Sequence, residues 1–173
     1  EGAPCHYTWY VPHDVAGLIE LMGGNEKFTA KLDSMFTQGR YWHGNEPCHQ
    51  IPYMFDAAGH WDLTQKYVRH IMDTEYMATP GGLSGNDDAG QMSAWYVFSA
   101  LGFYPVAPST PYYYIGVPAF DSITLDAGGK LLNIRRKGAD GDVCTKIMYD
   151  GKPLNDFRLN HEQLIRGGTL LFE

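Results

Sequence analysis

The stretch GNDDAGQMSAWYVFSALGFYP, residues 85–105, decides the fold. A glycine-rich loop, Gly81 to Gly90, gives way at Gln91 to an uncharged run ending at Leu101. Along it Met92, Trp95, Tyr96, Phe98 and Leu101 put apolar groups on most sides of a helix. A helix with so little polar face has to be enclosed on several sides, so this one is expected inside a larger helical bundle. Just before it stand two adjacent acids, Asp87 and Asp88. One of them could simply cap the helix. Side by side they also repel each other unless a cation or a shared proton relieves them.

Upstream, the apolar spacing stays helical. Asp14 precedes Val15, Leu18, Ile19 and Met22, which share one face, and Gly23-Gly24 ends that turn. Asn25 opens a second helix carrying Phe28, Leu32, Met35 and Phe36. After a loop from Arg40 to His49, a short helix is expected near Tyr53 to Ala58, with Pro52 at its first turn. A longer one is expected from about Leu63 to Tyr76, with Pro80 beyond its end.

Downstream, Pro105 to Pro111 carries three prolines and marks a boundary. The pattern then turns to strands, expected at 112–117, 123–125, 131–135, 143–149, 157–159 and 169–172. Asp150-Gly151 is a strong hairpin signal. The expected fold class is therefore mainly α with appended β, divided at 1–105 and 106–173.

Composition narrows the function. The chain has 173 residues, enough for one domain with a proper core. Aromatic residues make up 14%, which excludes a disordered chain. A net charge of −7 leaves no basic face for nucleic acid, and Arg135-Arg136-Lys137 is too short a cluster to supply one. No apolar run reaches the roughly 20 residues a bilayer span needs. Cys5, Cys48 and Cys144 fit no zinc spacing; their odd number leaves at least one free thiol, and a Cys5–Cys48 disulfide stays open. The chain opens on Glu1 rather than methionine, so it is read as a fragment whose true start lies elsewhere.

Three loops carry the chemistry: residues 1–14, 41–50 and 82–95. Each sets carboxylates beside aromatic rings and amides. Glycosidic hydrolysis needs one carboxylic acid to protonate the leaving oxygen and one carboxylate opposite it. Tyr7, Trp9, Trp42 and Trp95 are candidates for stacking on sugar C–H faces. Asn45, Glu46, Asp87 and Asp88 offer the hard oxygens that calcium prefers. Singly the loops are weak signals. Glu46 before Pro47 reads equally as a turn residue, and His43 and His49 as ordinary hydrogen-bonding histidines.

Together they resemble glycoside hydrolase family 92, whose members are calcium-dependent exo-α-mannosidases. The likeness is carried by GNEPCHQIPY (44–53) and by residues 85–105, and it extends to Glu1-Gly2, Tyr7, Trp9, the VPHD run at 11–14 and YIGVPAF at 114–120. The resemblance implies an N-terminal β-sandwich on an (α/α)6 barrel, of which this chain would be the second half of the barrel plus a closing β unit. It implies inversion at the anomeric carbon, with Glu1 as general acid and Asp87 or Asp88 as the base. It associates Asn45, Glu46 and His49 or Gln50 with Ca2+, and Tyr7, Trp9, Trp42, His43 and Glu46 with the mannose-containing glycan. Cys5-His6 departs from the Trp-Gln that many members carry there, which bears on linkage preference. Secretion or a periplasmic or cell-surface location is expected from such substrates, and the missing N-terminal part is the expected partner. The isolated chain is expected to be inactive. The competing readings are another (α/α)6 enzyme, a phosphorylase or lyase, and a non-catalytic carbohydrate-binding relative.

Overall fold

The computed structural model describes residues 1–139 and 141–173. Helix α1 (Pro4–Tyr7) is a single turn; α2 (Val15–Leu21) and α3 (Asn25–Thr37) form a hairpin. The Asp14 carboxylate accepts from the Gly17 amide and caps α2, as the sequence leads one to expect. Two 3-10 turns (Glu46–Cys48 and Ile51–Tyr53) run into α4 (Met54–Ala57), followed by α5 (Trp61–Thr74) and α6 (Gln91–Leu101). The proline in each 3-10 turn is tolerated because the first turn leaves its amide unused.

The β structure is two sheets among the described residues. Strands β1 (Phe103–Tyr104), β2 (Tyr112–Ile115) and β7 (Arg158–Asn160) form an antiparallel sheet of three. The second sheet has the order β3 (Ser122–Asp126), β4 (Leu131–Arg136), β8 (Gly168–Phe172), β5 (Ile147–Tyr149), β6 (Lys152–Pro153). All its pairs are antiparallel except β4 with β8. Asp150 and Gly151 both have positive φ, 47° and 77°, the turn in which both central residues are left-handed, so the β5–β6 hairpin forms where it was expected.

Two expectations need correction. Residues 143–146 are not strand, because the Cys144 backbone is paired with a side chain: Gln65 accepts from its amide and donates to its carbonyl, both at 3.0 Å. A helix, α7 (His161–Arg166), appears where none was expected. Its start is a capping box, with Asn160 accepting from the Glu162 amide and Gln163 from the Asn160 amide.

Two cores result. One gathers Phe28, Leu32, Tyr53, Phe55, Val68, Ile71 and Trp95 from the helices; the other gathers Phe103, Ile115, Ile134, Leu159, Leu170 and Phe172 from the sheets. Phe98 on α6 packs against both. Polar ties join them as well. The buried Asp56 carboxyl accepts from the Ile115 amide at 3.1 Å, and the Trp61 ring of α5 lies in the second core, stacked on Phe157. Burial holds the Asp56 carboxyl well above the usual carboxylate range. The helices carrying the three loops are thus braced on the sheets.

Candidate active site

The first loop is folded back on itself by its own backbone donors. Gly2 donates to the Tyr7 hydroxyl at 3.0 Å and Ala3 to His6 Nδ1 at 3.0 Å. The other His6 nitrogen, Nε2, is 2.8 Å from the Arg40 carbonyl, so it carries the proton and ties this loop to the second. The Tyr7 hydroxyl also receives Asn45 Nδ2 at 3.5 Å. These donations, the Gly2 amide foremost, lower the Tyr7 phenol below its ordinary value. Gly2 lies so close that a Cβ on it would be 2.7 Å from Asn45 Nδ2. Glu1, exposed, is the residue before Gly2.

The second loop is pinned from beneath. His43 is fully buried; Nδ1 lies 2.8 Å from the Tyr41 hydroxyl and Nε2 2.6 Å from that of Tyr76. Tyr76 donates onward to the Met92 carbonyl, which makes His43 Nε2 the donor to Tyr76 and Nδ1 the acceptor from Tyr41. Burial lowers the His43 pKa to about 2, so it stays neutral. His49 Nε2 donates to the His43 carbonyl, and the Trp95 indole on α6 donates to the His49 carbonyl at 2.8 Å. Burial lowers the His49 pKa too.

The third loop meets the second backbone to backbone. A Cβ on Gly44 would lie 2.7 Å from the Ser84 carbonyl oxygen, and one on Gly85 only 2.4 Å from the Gly44 oxygen. Only residues without side chains permit that approach. Asp87 Oδ1 then accepts from the Ser93 amide (3.0 Å) and hydroxyl (2.8 Å), capping the start of α6. Asp88, Ala89 and Gly90 follow with φ of 51°, 57° and 98°. A left-handed run on non-glycine residues is costly and marks a constrained segment. It leaves the Asp88 carboxylate exposed, with no hydrogen-bond partner among the described residues.

The structure therefore joins the first two loops through Gly2, Tyr7 and Asn45, and the second to the Asp87-Asp88 loop through Gly44 and Gly85; Glu1 and Glu46 are chain neighbours of these contacts. Trp42 is exposed beside His6 and keeps a ring face for stacking. Two of the expected sugar contacts lie inside the fold. Trp9 is 2% exposed and packs edge-on against Phe28, so its ring belongs to the core. His43 has both nitrogens engaged and no surface, so it supports the loop from below.

For calcium the donor chemistry fits in part. Gln50 donates through Nε2 to the Pro47 carbonyl, and Asn45 donates through Nδ2, which leaves both amide oxygens free to accept, beside the exposed Glu46 carboxylate. These are hard oxygens of the kind that ion takes, three against its usual roughly 6–8 ligands. His49 brings no oxygen to that set; its buried Nδ1 has no hydrogen-bond partner among the described residues. Among the described residues no group of three or more His, Cys, Asp or Glu side chains could hold a metal. All three cysteines are free thiols, and burial pushes that of Cys48 up to about 12.

Sequence reasoning passed over Gln91 and Tyr104. Gln91 Nε2 donates to the Tyr104 hydroxyl at 2.9 Å, and both line a cleft that Glu46 also borders. The signal was a single amide at the head of an otherwise apolar helix.

Known proteins are similar to this chain in sequence and fold. A secreted glycosidase of Arthroderma benhamiae, itself uncharacterized, is 30% identical over 168 residues, covering 94% of this chain and 22% of that protein. The family 92 α-mannosidase BT3965 of Bacteroides thetaiotaomicron, solved with mannoimidazole, superimposes with a TM-score of 0.92 at 39% identity, covering 99% of this chain and 25% of that one. The family 92 inverting mannosidase BT2199 of the same species gives a TM-score of 0.88 at 36% identity, covering all of this chain and 27% of that one. The chain thus spans about a quarter of the length of the relatives it matches. Residues 1–173 match the glycosyl hydrolase family 92 catalytic domain from end to end, and the chain belongs to that family.

Proposed function

We propose that this chain is part of an inverting, calcium-dependent exo-α-mannosidase that removes terminal α-linked mannose from glycans. The observation that carries the reading is the meeting of the three loops: Gly2 against Asn45, and Gly44 against Gly85. On this reading that contact would gather two acidic segments and a set of oxygen donors at one place, which is what glycosidic hydrolysis demands.

In this reading Glu1 donates its proton to the glycosidic oxygen as the bond to the anomeric carbon breaks. A water on the opposite face attacks that carbon, and a carboxylate of the third loop takes the water's proton. Asp88 suits that part better than Asp87, whose Oδ1 is committed to Ser93 while Asp88 is exposed, with no hydrogen-bond partner among the described residues. The products are β-mannose and the freed alcohol. The two carboxyls of an inverting pair stand about 6.5–9.5 Å apart to admit the water. Asn45, Glu46 and Gln50 would hold calcium. When bound, the ion would orient and polarise sugar hydroxyls. Trp42 and Tyr7 offer ring surface to the sugar.

The same reading makes residues 1–105 the second half of an (α/α)6 barrel and 106–173 a closing β unit. The N-terminal β-sandwich and the remaining barrel helices belong to the rest of the enzyme. Secretion follows from a glycan substrate and agrees with the description of the fungal relative. No helix among the described residues is long and apolar enough to cross a membrane.

The test is to follow hydrolysis of α-mannobiose isomers by the full-length protein with proton NMR. The anomeric signal of β-mannose should appear first, vanish on chelation and return with Ca2+. Release of α-mannose first would eliminate inversion, and full turnover after thorough chelation would eliminate the metal. Phosphate-dependent turnover or an unsaturated product would move the protein to another reaction class.

A further inference from the structure

The tripeptide Pro-Cys-His occurs twice, at 4–6 and at 47–49. Each copy forms a tight turn: Pro4 starts α1, and Pro47 lies in the 3-10 turn Glu46–Cys48. The two turns pack on each other, with Cα atoms of α1 within 8 Å of those of Glu46–Cys48. Contacts flank both cysteines. Ahead of Cys5, Gly2 lies against Asn45; behind it, His6 reaches the Arg40 carbonyl and Tyr7 meets Asn45. The Cys48 amide donates to the Asn45 carbonyl at 2.8 Å, so Asn45 is held from both sides.

The two thiols differ in access. Cys5 is half-buried, whereas Cys48 is closed off from solvent. Burial raises the Cys48 thiol, and the neighbouring Cys5 thiol raises it further, so the sulfurs sense each other. Cys144 stands apart in the second core, where Gln65 holds its backbone. A disulfide needs Cα atoms about 4.4–6.8 Å apart, a separation that two packed single turns reach by a small shift.

We propose that Cys5 and Cys48 are a dithiol pair that closes to a disulfide, stapling the first loop to the second. The oxidant is a low-molecular-weight disulfide. Cys5, the thiol that solvent reaches, attacks one of its sulfurs as the thiolate, forming a mixed disulfide and expelling one small thiolate. The Cys48 sulfur then attacks that of Cys5 and expels the second. Two protein thiols and one small disulfide thus become one protein disulfide and two small thiols, which take up both protons. The bond joins residues 43 apart in the chain, so it also withdraws freedom from the unfolded state. It holds whatever reaction the site performs.

The experiment incubates the full-length protein with oxidised glutathione, alkylates the remaining thiols and maps a tryptic digest by mass spectrometry without reductant. The peptide ending at Lys27, which holds Cys5, should be bonded to peptide 41–66, which holds Cys48, and reduction should part them. Cys144 should carry the alkyl group. In Cys48→Ser, Cys5 should keep a glutathione instead; in Cys5→Ser, Cys48 should stay unmodified. The linked protein should melt about 5 °C above the reduced one, a difference that Cys5→Ser abolishes. Wild-type Cys5 that stays glutathionylated, or bonds to any other cysteine, would overturn the pairing. Equal melting temperatures of the linked and reduced forms would overturn the staple. No readout uses turnover, so the pairing and the hydrolase reading fail separately.

Discussion

Replacing Gly85 by alanine tests the loop meeting with a single methyl group. Its Cβ would stand 2.4 Å from the Gly44 oxygen and 2.6 Å from the Gly44 Cα, whereas ordinary contact begins at 3.4 Å. The obstacle is backbone on both sides, so no side chain can swing away; the second and third loops must part by about 1 Å. Neither Gly44 nor Gly85 is left-handed, so the effect is steric and not conformational. Local overpacking costs about 1–3 kcal/mol, which a large enzyme survives. Activity is far more sensitive, because a displacement of about 1 Å between reacting groups can cost on the order of 100-fold in rate. The assay is kcat/KM of the full-length protein on α-mannobiose, with circular dichroism and a thermal melt to certify folding. Gly81→Ala is the control, since a Cβ there meets nothing within 4 Å. A folded Gly85→Ala enzyme within about threefold of wild type would refute the argument that this contact sets the catalytic spacing. So would an equal loss in Gly81→Ala.

Three further outcomes are expected. Glu1→Gln should lower kcat on α-mannobiose by about 10²–10⁴-fold, and by much less on a mannoside whose leaving group needs no proton; equal losses would deny Glu1 the acid's part. Asp88→Asn should remove turnover in a protein that melts normally, while Asp87→Asn should chiefly weaken the α6 cap, by about 1 kcal/mol; the reverse pattern would exchange their assignments. Asp56 bears on stability. Its carboxyl is held above the usual range by burial, so the folded chain retains a proton that the unfolded chain releases. That contribution is complete below the unfolded carboxyl pKa, near about 4, and is lost as pH rises towards the folded value. Asp56→Asn keeps an oxygen for the Ile115 amide, so denaturant titrations across that range should show a flatter fall of stability with pH; an unchanged slope would exclude Asp56 as its source.

Much of the fold was legible because each signal is local. The α6 helix begins and ends where its apolar run does, at Gln91 and Leu101, and Asp150-Gly151 turns where two left-handed residues are needed. The stretch 143–146 misled because its β-branched pattern competes with Gln65, a partner 79 residues away from Cys144 that no local pattern reveals. The site follows the same division. That the three loops matter could be seen from their residue types. Which rings face out could not, since Trp9 and Trp42 look alike in sequence and differ only in what α3 and α1 place beside them. His43 is the sharpest case: its environment is made by Tyr41, Tyr76 and Trp95, and only their convergence turns an apparent ligand into a neutral strut.

The brace between helices and sheets limits how this protein can be rebuilt. Asp56, Trp61 and Gln65 lie close together in the chain, yet they hold Ile115, Phe157 and Cys144, three points spread along the carboxy-terminal strands and turns. Trimming the protein after the proline-rich boundary would strip all three at once, and the loss would be felt in the helices that carry the three loops. A chimaera that borrowed the tail of a relative would need to import those partners as a set, much as a transplanted keystone is useless without the stones cut to meet it.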